Sequence, residues 1–399
     1  MKIRIYKGLA NGEITVPPSK SMAHRLLICA ALSEEESVIK NLPSCDDVVA
    51  TCECLRALGA SITQIGDEYR IRGINVKKRD TGASIYANES GSTLRFLIPI
   101  LLLLGAKYNV FAESALLKRP LTVYENLFGK SIKKEHGYVS VFGALKSGEY
   151  HIPANISSQF ISGMLFALPL CEGDSRIILD TKIESRSYIN LTLSALSDFG
   201  VKAYFEDERT IFIKGSQKYQ GRRISVEGDY SAGAFIEALN LFSGKVRTLG
   251  LREDSLQGDR VYREVFNALK KGKTTIDISD CPDNAPIFFA LAATFNGAEF
   301  LGTCRLKIKE SDRAEAMKKE LSKLGARLEI LDDSVIVHKT ELHAPSETID
   351  SHNDHRIAMA MAVLLTKFGG EISECEVVKK SYPDFWQDLS SLGIKVEYL

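Results

Sequence analysis

Lys309, Glu310 and Arg313 fall close together in KIKESDR, and Asp283 opens the segment DNAPIFF a short way earlier in the chain. A lysine and two carboxylates held beside cations can move protons to and from a bound substrate. Further cations mark other segments: Lys20 and Arg25 in SKSMAHR, Arg95 in STLRF, Arg186 in SRSYIN, Arg356 in NDHR and Lys380 in KKSYPDF. Each one alone reads as a solvated charge at the end of an element. Together they favour a multiply charged anionic ligand, because Arg and Lys beside free helix N–H groups recur where phosphate is held. Asp283 also has an ordinary use as a helix N-cap, and the charges from Lys307 to Arg313 suit the start of a surface helix. Spacing alone does not choose between these readings.

Most of these residues share one setting, a polar cluster that turns directly into a small, apolar helix. It occurs six times, at Ser19, Glu89, Ser157, Asp229, Asp283 and Asn353, and by subtraction the starts lie 70, 68, 72, 54 and 70 residues apart. One supersecondary unit of about 70 residues has therefore been reused. Apolar residues on every side predict helices buried along their length, with Ser, Asp or Asn capping an accessible first turn. Free N–H groups and the positive dipole end make such starts suited to anions. A second repeat, Leu55-x-x-Leu58-Gly59 and its copies ending at Gly200, Gly325 and Gly393, predicts amphipathic helices stopped by a C-cap glycine. Alternating segments such as SITQIGDEYRIRG and RLEILDDSVIVHK follow as strands, which makes the chain α/β.

Six units in 399 residues divide into three and three. Because the first buried helix comes so early, the strand segment before it is expected to join the last units. This gives a discontinuous domain of residues 1–19 plus 228–399 and an inserted domain of residues 20–227. The crossovers are Pro17–Pro18–Ser19 and Val226–Glu227–Gly228–Asp229.

The 51 basic and 51 acidic residues cancel, so no global field points to nucleic acid or to an anionic membrane. Any anion site must be local. The longest apolar stretch, Phe96–Leu104, contains Pro99 and is too short to span a bilayer, and a soluble cytoplasmic protein is expected. The eight cysteines include no CxxC pair and read as reduced core residues. Gly129-Lys130-Ser131 lacks the first glycine of a P-loop, and His352 and His355 have no third ligand nearby, so a polar cap is favoured over zinc there. Neither a G-x-S-x-G elbow nor a dinucleotide fingerprint is present.

PSKSMAHR, ESGSTLR, SSQF, SRSYI, PDNAP, KIKESDR, NDHR and KSYPDF occur in the order and near the spacing of the 5-enolpyruvylshikimate-3-phosphate synthases, and the chain resembles that enolpyruvyl transferase family from Pro18 to Trp386. The resemblance implies a two-domain inside-out α/β barrel, each domain built of three βαβαββ units with pseudo-threefold symmetry. It also implies the reaction: the enolpyruvyl group of phosphoenolpyruvate passes to the 5-hydroxyl of shikimate 3-phosphate through a tetrahedral intermediate, and phosphate leaves. It implies no metal and no organic cofactor, two small-molecule substrates, no nucleic-acid or membrane partner, and a monomer. By the same resemblance, Lys20, Ser21, Arg25, Ser157, Ser158, Gln159, Ser185 and Tyr188 contact shikimate 3-phosphate, together with Asp283 and Lys309. Lys20, Gly91, Gln159, Arg313, Arg356 and Lys380 match the phosphoenolpyruvate residues. Asp283 falls on the acceptor of the hydroxyl proton, and Lys309 and Glu310 on the residues that handle the proton added to the methylene carbon.

The chain departs from that pattern at Ala115, which replaces a loop arginine, at Glu89, which replaces an asparagine, and at Arg305, which replaces a polar contact. Ala115 and Glu89 are expected to weaken phosphoenolpyruvate binding unless Lys118 or Arg119 supplies the charge. Two other functions share parts of this pattern. A UDP-N-acetylglucosamine enolpyruvyl transferase would carry a reactive cysteine in the loop Glu113–Arg119, which has none. A non-catalytic anion-binding homologue would have no use for Asp283, Lys309 and Glu310.

Overall fold

The structure is a computed structural model and describes residues 1–76 and 82–399. It divides into two compact units, Pro18–Glu227 and Met1–Pro17 with Gly228–Leu399. The boundary near the N-terminus lies two residues before the expected one. Pro18 and Ser19 go with the inserted unit because Ser19 caps its first helix and donates its N–H to Glu227 O at 2.7 Å.

The inserted unit holds α1 (Lys20–Leu32), α2 (Asp46–Ala57), α3 (Gly91–Leu104), α4 (Ser114–Lys118), α5 (Thr122–Phe128), α6 (Ser158–Ala167) and α7 (Arg186–Asp198). Three four-stranded sheets accompany them, each with one parallel pair and two antiparallel ones. A complete repeat runs strand, buried helix, parallel strand, amphipathic helix and hairpin. In the third, Glu149–Ile152, α6, Ser175–Leu179 and α7 lead to Ala203–Phe205 and Thr210–Ile213. The first repeat takes its opening strand, Arg223–Ser225, from the far end of the unit, where it pairs in parallel with Ser37–Lys40.

α3 and α6 pack against each other through a specific adaptation. Pro99 has no N–H for the Arg95 carbonyl one turn earlier, and the Tyr124 hydroxyl donates to that carbonyl instead, at 2.9 Å. Gly163 of α6 faces the same place, where a Cβ would clash with the Tyr124 hydroxyl and the Arg95 carbonyl oxygen.

The discontinuous unit holds α8 (Tyr230–Ala238), α9 (Tyr262–Lys271), α10 (Ala285–Thr294), α11 (Arg313–Ser322), α12 (His355–Phe368) and α13 (Phe385–Ser391). Its third repeat closes with the chain's N-terminus: Lys2–Ile5 lies between Gly370–Ser373 and Val396–Tyr398 as the middle of an antiparallel trio. Its first repeat is shorter than the expected βαβαββ unit. Asn11–Thr15 pairs in parallel with Lys245–Leu249, α9 follows, and the chain passes at once to Thr274–Asp277 with no hairpin between them. This is why the fourth interval is 54 residues rather than about 70.

The absent hairpin leaves Lys245–Leu249 with one open edge, and side chains close it. Asn240 Nδ2 donates to Val246 O at 2.8 Å while Asn240 Oδ1 accepts from Val246 N–H at 2.7 Å, so one amide plays the part of a neighbouring strand. Beside it Glu237 accepts from Thr248 Oγ1 and pairs with Arg263, whose guanidinium lies over Tyr230 and Tyr262.

Candidate active-site residues

In the inserted unit the starts of α1, α3 and α6 carry the predicted residues. Ser19, Ser90 and Ser157 cap these helices by accepting from Met22, Thr93 and Gln159 N–H. Lys20 and Ser21 follow the first cap, and Lys20 Nζ pairs with Asp47 Oδ2 at 2.8 Å. Arg25 is buried one turn later. It donates to Thr192 Oγ1 at 2.9 Å, to Ser21 O at 2.6 Å and to Tyr188 O at 2.9 Å, with Phe96 and Tyr188 under its plane. Burial lowers its pKa to about 10. Ser185, in the left-handed region at φ 56°, sets the entry to α7 and brings Tyr188 onto Arg25.

Gln159, one residue past Ser158 on α6, accepts from Arg95 Nη1 at 2.6 Å and donates to Ser92 Oγ at 3.0 Å. Gly91 lies in the same cluster: a Cβ there would stand 3.2 Å from Arg119 Nη1, 3.4 Å from Arg95 Nη1 and 3.6 Å from Gln159 Oε1. Arg119 thus brings a cation to the start of α3, which the residue types around Ala115 do not disclose. Arg186 is turned elsewhere, over Phe205 at 4.2 Å.

In the discontinuous unit the N-cap position of α10 is Asn284, one residue after Asp283. The Asp283 carboxylate accepts from Arg313 Nη1 at 2.8 Å, Arg356 Nη2 at 2.9 Å and Lys309 Nζ at 3.2 Å. Glu310 pairs with Arg313 Nη2 at 2.6 Å. Arg313 opens α11 and Arg356 lies in the first turn of α12, so two helix starts converge on one carboxylate. Lys380 stands nearby in the chain's geometry, donating to Asn353 O at 2.8 Å just before α12.

Burial alone would raise the Asp283 pKa, but Arg356, then Lys309 and Arg313, outweigh it and hold the carboxyl well below the usual range. Burial pulls the Lys309 ammonium down, with Arg313 and Arg305 in the same direction and Asp283 opposing. An ionised carboxylate can accept a proton and an ammonium made more acidic by its surroundings can give one up. An anion bound at Arg313 and Arg356 would withdraw their charge from Asp283 and make it a stronger base.

A family model described as EPSP synthase (3-phosphoshikimate 1-carboxyvinyltransferase) matches residues 7–389. The chain belongs to this family. The protein named 3-phosphoshikimate 1-carboxyvinyltransferase in Clostridium perfringens strain 13 is 40% identical over 417 residues, covering 98% of each chain. Its namesake in Clostridium kluyveri is 40% identical over 413 residues, covering 97% of this chain and 96% of that one. Among solved structures, EPSP synthase from Acinetobacter baumannii aligns over 100% of both chains with a TM-score of 0.78 and 24% identity. The enolpyruvyl transferase NikO from Streptomyces tendae gives 0.79 with 14% identity, over 100% of this chain and 98% of that one. At these identities the two structures speak for the fold.

Several residues that complete this family member's clusters escaped the sequence reading. Asp354 is fully buried, caps α12 through Arg356 N–H and accepts from Arg313 Nε at 2.8 Å. Asp47 holds Lys20, and Ser231 Oγ accepts from Arg356 Nη1. The available signal for Asp354 was its place in NDHR. For Asp47 and Ser231 the signal was only a polar residue in a first turn.

Proposed function

We propose that this chain transfers the enolpyruvyl group of phosphoenolpyruvate to the 5-hydroxyl of shikimate 3-phosphate and releases phosphate. The observation that carries the reading is the sharing of Asp283 by Lys309, Arg313 and Arg356, with Glu310 on Arg313. Addition to an enol ester needs a base for the attacking hydroxyl, a proton for the methylene carbon, and cations for an intermediate carrying carboxylate and phosphate. Asp283 takes the hydroxyl proton as the C–O bond forms, and Lys309 with Glu310 delivers a proton to the methylene. Lys309 with Glu310 then takes a proton back from the methyl group as the C–O bond to phosphate breaks, which restores the double bond, and the proton on Asp283 leaves with the phosphate. Lys20, Ser21, Arg25, Ser157, Ser158, Gln159, Ser185 and Tyr188 hold shikimate 3-phosphate. Lys20, Gly91, Gln159, Arg313, Arg356 and Lys380 hold phosphoenolpyruvate, and Arg119 joins them. The enzyme acts as a cytoplasmic monomer on soluble substrates. No helix among the described residues is long and apolar enough to cross a membrane.

Phosphate release with shikimate 3-phosphate and phosphoenolpyruvate tests the reading directly. UDP-N-acetylglucosamine as the only acceptor should give none. Release with that acceptor instead, or none with either, overturns it.

A further inference from the structure

Glu320 lies on α11, seven residues and so about two turns past Arg313. Its side chain is wholly shielded from solvent and holds three partners: His352 Nε2 at 2.8 Å, Lys323 Nζ at 2.6 Å and Asp350 N–H at 2.8 Å. Lys323 extends the tie by donating to Thr348 O at 2.8 Å. All three lead to the segment just before α12. That segment has an unusual backbone, because His352 and Asn353 both sit in the left-handed region, each at φ 53°. Neither is glycine, and consecutive residues of this kind persist only when their surroundings over-determine them. The segment ends on Asp354, which receives Arg313 Nε, and on Arg356, which reaches Asp283. α11 therefore grips it at two points, from Arg313 at the helix start and from Glu320 two turns on.

We propose that Glu320, acting through His352 and the Asp350 N–H, is a positioning residue that fixes the entry to α12 and so sets where Arg356 and Asp354 stand. This rests on the assignment of Arg313 and Arg356 to phosphoenolpyruvate. The carboxylate can serve several donors at once because it is ionised, with burial opposing the charge and the His352 and Lys323 bonds favouring it. An amide in its place offers one acceptor oxygen and no charge.

The test compares wild type with Glu320→Gln, well below the unfolding temperature, by steady-state kinetics and by hydrogen exchange over residues 348–358. The KM for phosphoenolpyruvate is expected to rise roughly tenfold, since small displacements of a binding group are costly. The KM for shikimate 3-phosphate, whose phosphate is assigned to the inserted unit, should change much less, and exchange should quicken in that segment alone. A lower melting temperature with KM and exchange unaltered would mean a merely structural role and overturn the proposal. Should Glu320→Gln fail to fold, His352→Leu is compared with His352→Gln, which keeps a donor for the carboxylate. Restoration by Gln supports positioning, and equal effects refute it. If wild type itself releases no phosphate, the functional reading fails, while the exchange comparison still decides whether Glu320 fixes the segment.

Discussion

Asp283 accepts from one lysine and two arginines while Asp354 and Glu310 take the remaining face of Arg313, so removing any one charge leaves this partly buried cluster unbalanced. Asp283→Asn keeps the shape and removes the proposed base. Turnover is expected to fall by roughly two orders of magnitude or more, the scale of a lost general base, with the far-ultraviolet circular dichroism unchanged. Lys309→Met should cost as much for the opposite proton transfer. Near-normal kcat in either variant would remove that residue from its role. Arg119 changes the expectation attached to Ala115. Since its guanidinium already stands beside Gly91, Ala115→Arg should leave the KM for phosphoenolpyruvate unaltered, whereas Arg119→Ala should raise it by roughly tenfold, the loss of one charge-assisted bond. A fall in KM for Ala115→Arg would show that a gap exists after all. The sequence displayed these residues by type and by motif. Which cation reaches Gly91 depends on the path of α4 and the turn after it, which residue types do not encode.

At the scale of elements, the buried helices were legible because their signal is local. A capping residue, a short polar stretch and then a run of small and apolar side chains mark both the start and the burial of α1, α3 and α12. The Asp283 segment was the ambiguous one, and there the polar start serves three cations. The shortened repeat was visible only as an interval of 54 residues, since a missing hairpin leaves no residues to read. How its open edge is closed was invisible, because the Asn240 amide finds Val246 only after the turn between them forms. Asn240→Ala leaves the Val246 N–H and C=O without their partner, so stability should drop by about 1–3 kcal/mol. The bared edge should also promote pairing between copies. Urea unfolding and sedimentation at rising concentration measure the two effects, and unchanged values in both would mean that Asn240 does not guard the edge. Gly163→Ala is the comparable test inside the inserted unit: its added methyl meets the Arg95 carbonyl, so stability should fall by about 1–3 kcal/mol and Gln159 should lose its register with Arg95.

At the scale of the whole chain, each unit closes on itself by joining distant segments. The inserted unit brings its ends together through Ser19 N–H to Glu227 O at 2.7 Å, Val226 N–H to Lys40 O at 3.0 Å, and Asn41 Nδ2 to Val226 O at 2.9 Å. Its core, from Leu27 through Phe96 to Phe160 and Ile211, is drawn from its own residues. A fragment spanning residues 18–227 should therefore fold alone. The discontinuous unit depends instead on the first five residues, because Lys2–Ile5 is an inner strand of a four-stranded sheet and buries Ile3 and Ile5 in the core. Deleting residues 1–5 should strand Gly370–Ser373 and Val396–Tyr398 without their common partner and unfold that unit. The chain's one tryptophan makes the outcome easy to read. Trp386 is buried in the discontinuous unit, donating Nε1–H to Cys375 O at 2.9 Å, so its fluorescence reports that unit and not the inserted one. In the truncated chain the emission should sit at the solvent-exposed wavelength before any urea is added, while circular dichroism still shows a cooperative transition matching that of the 18–227 fragment. A buried emission from Trp386 in the truncated chain, or a fragment with no cooperative transition, would show that the units do not close in this way.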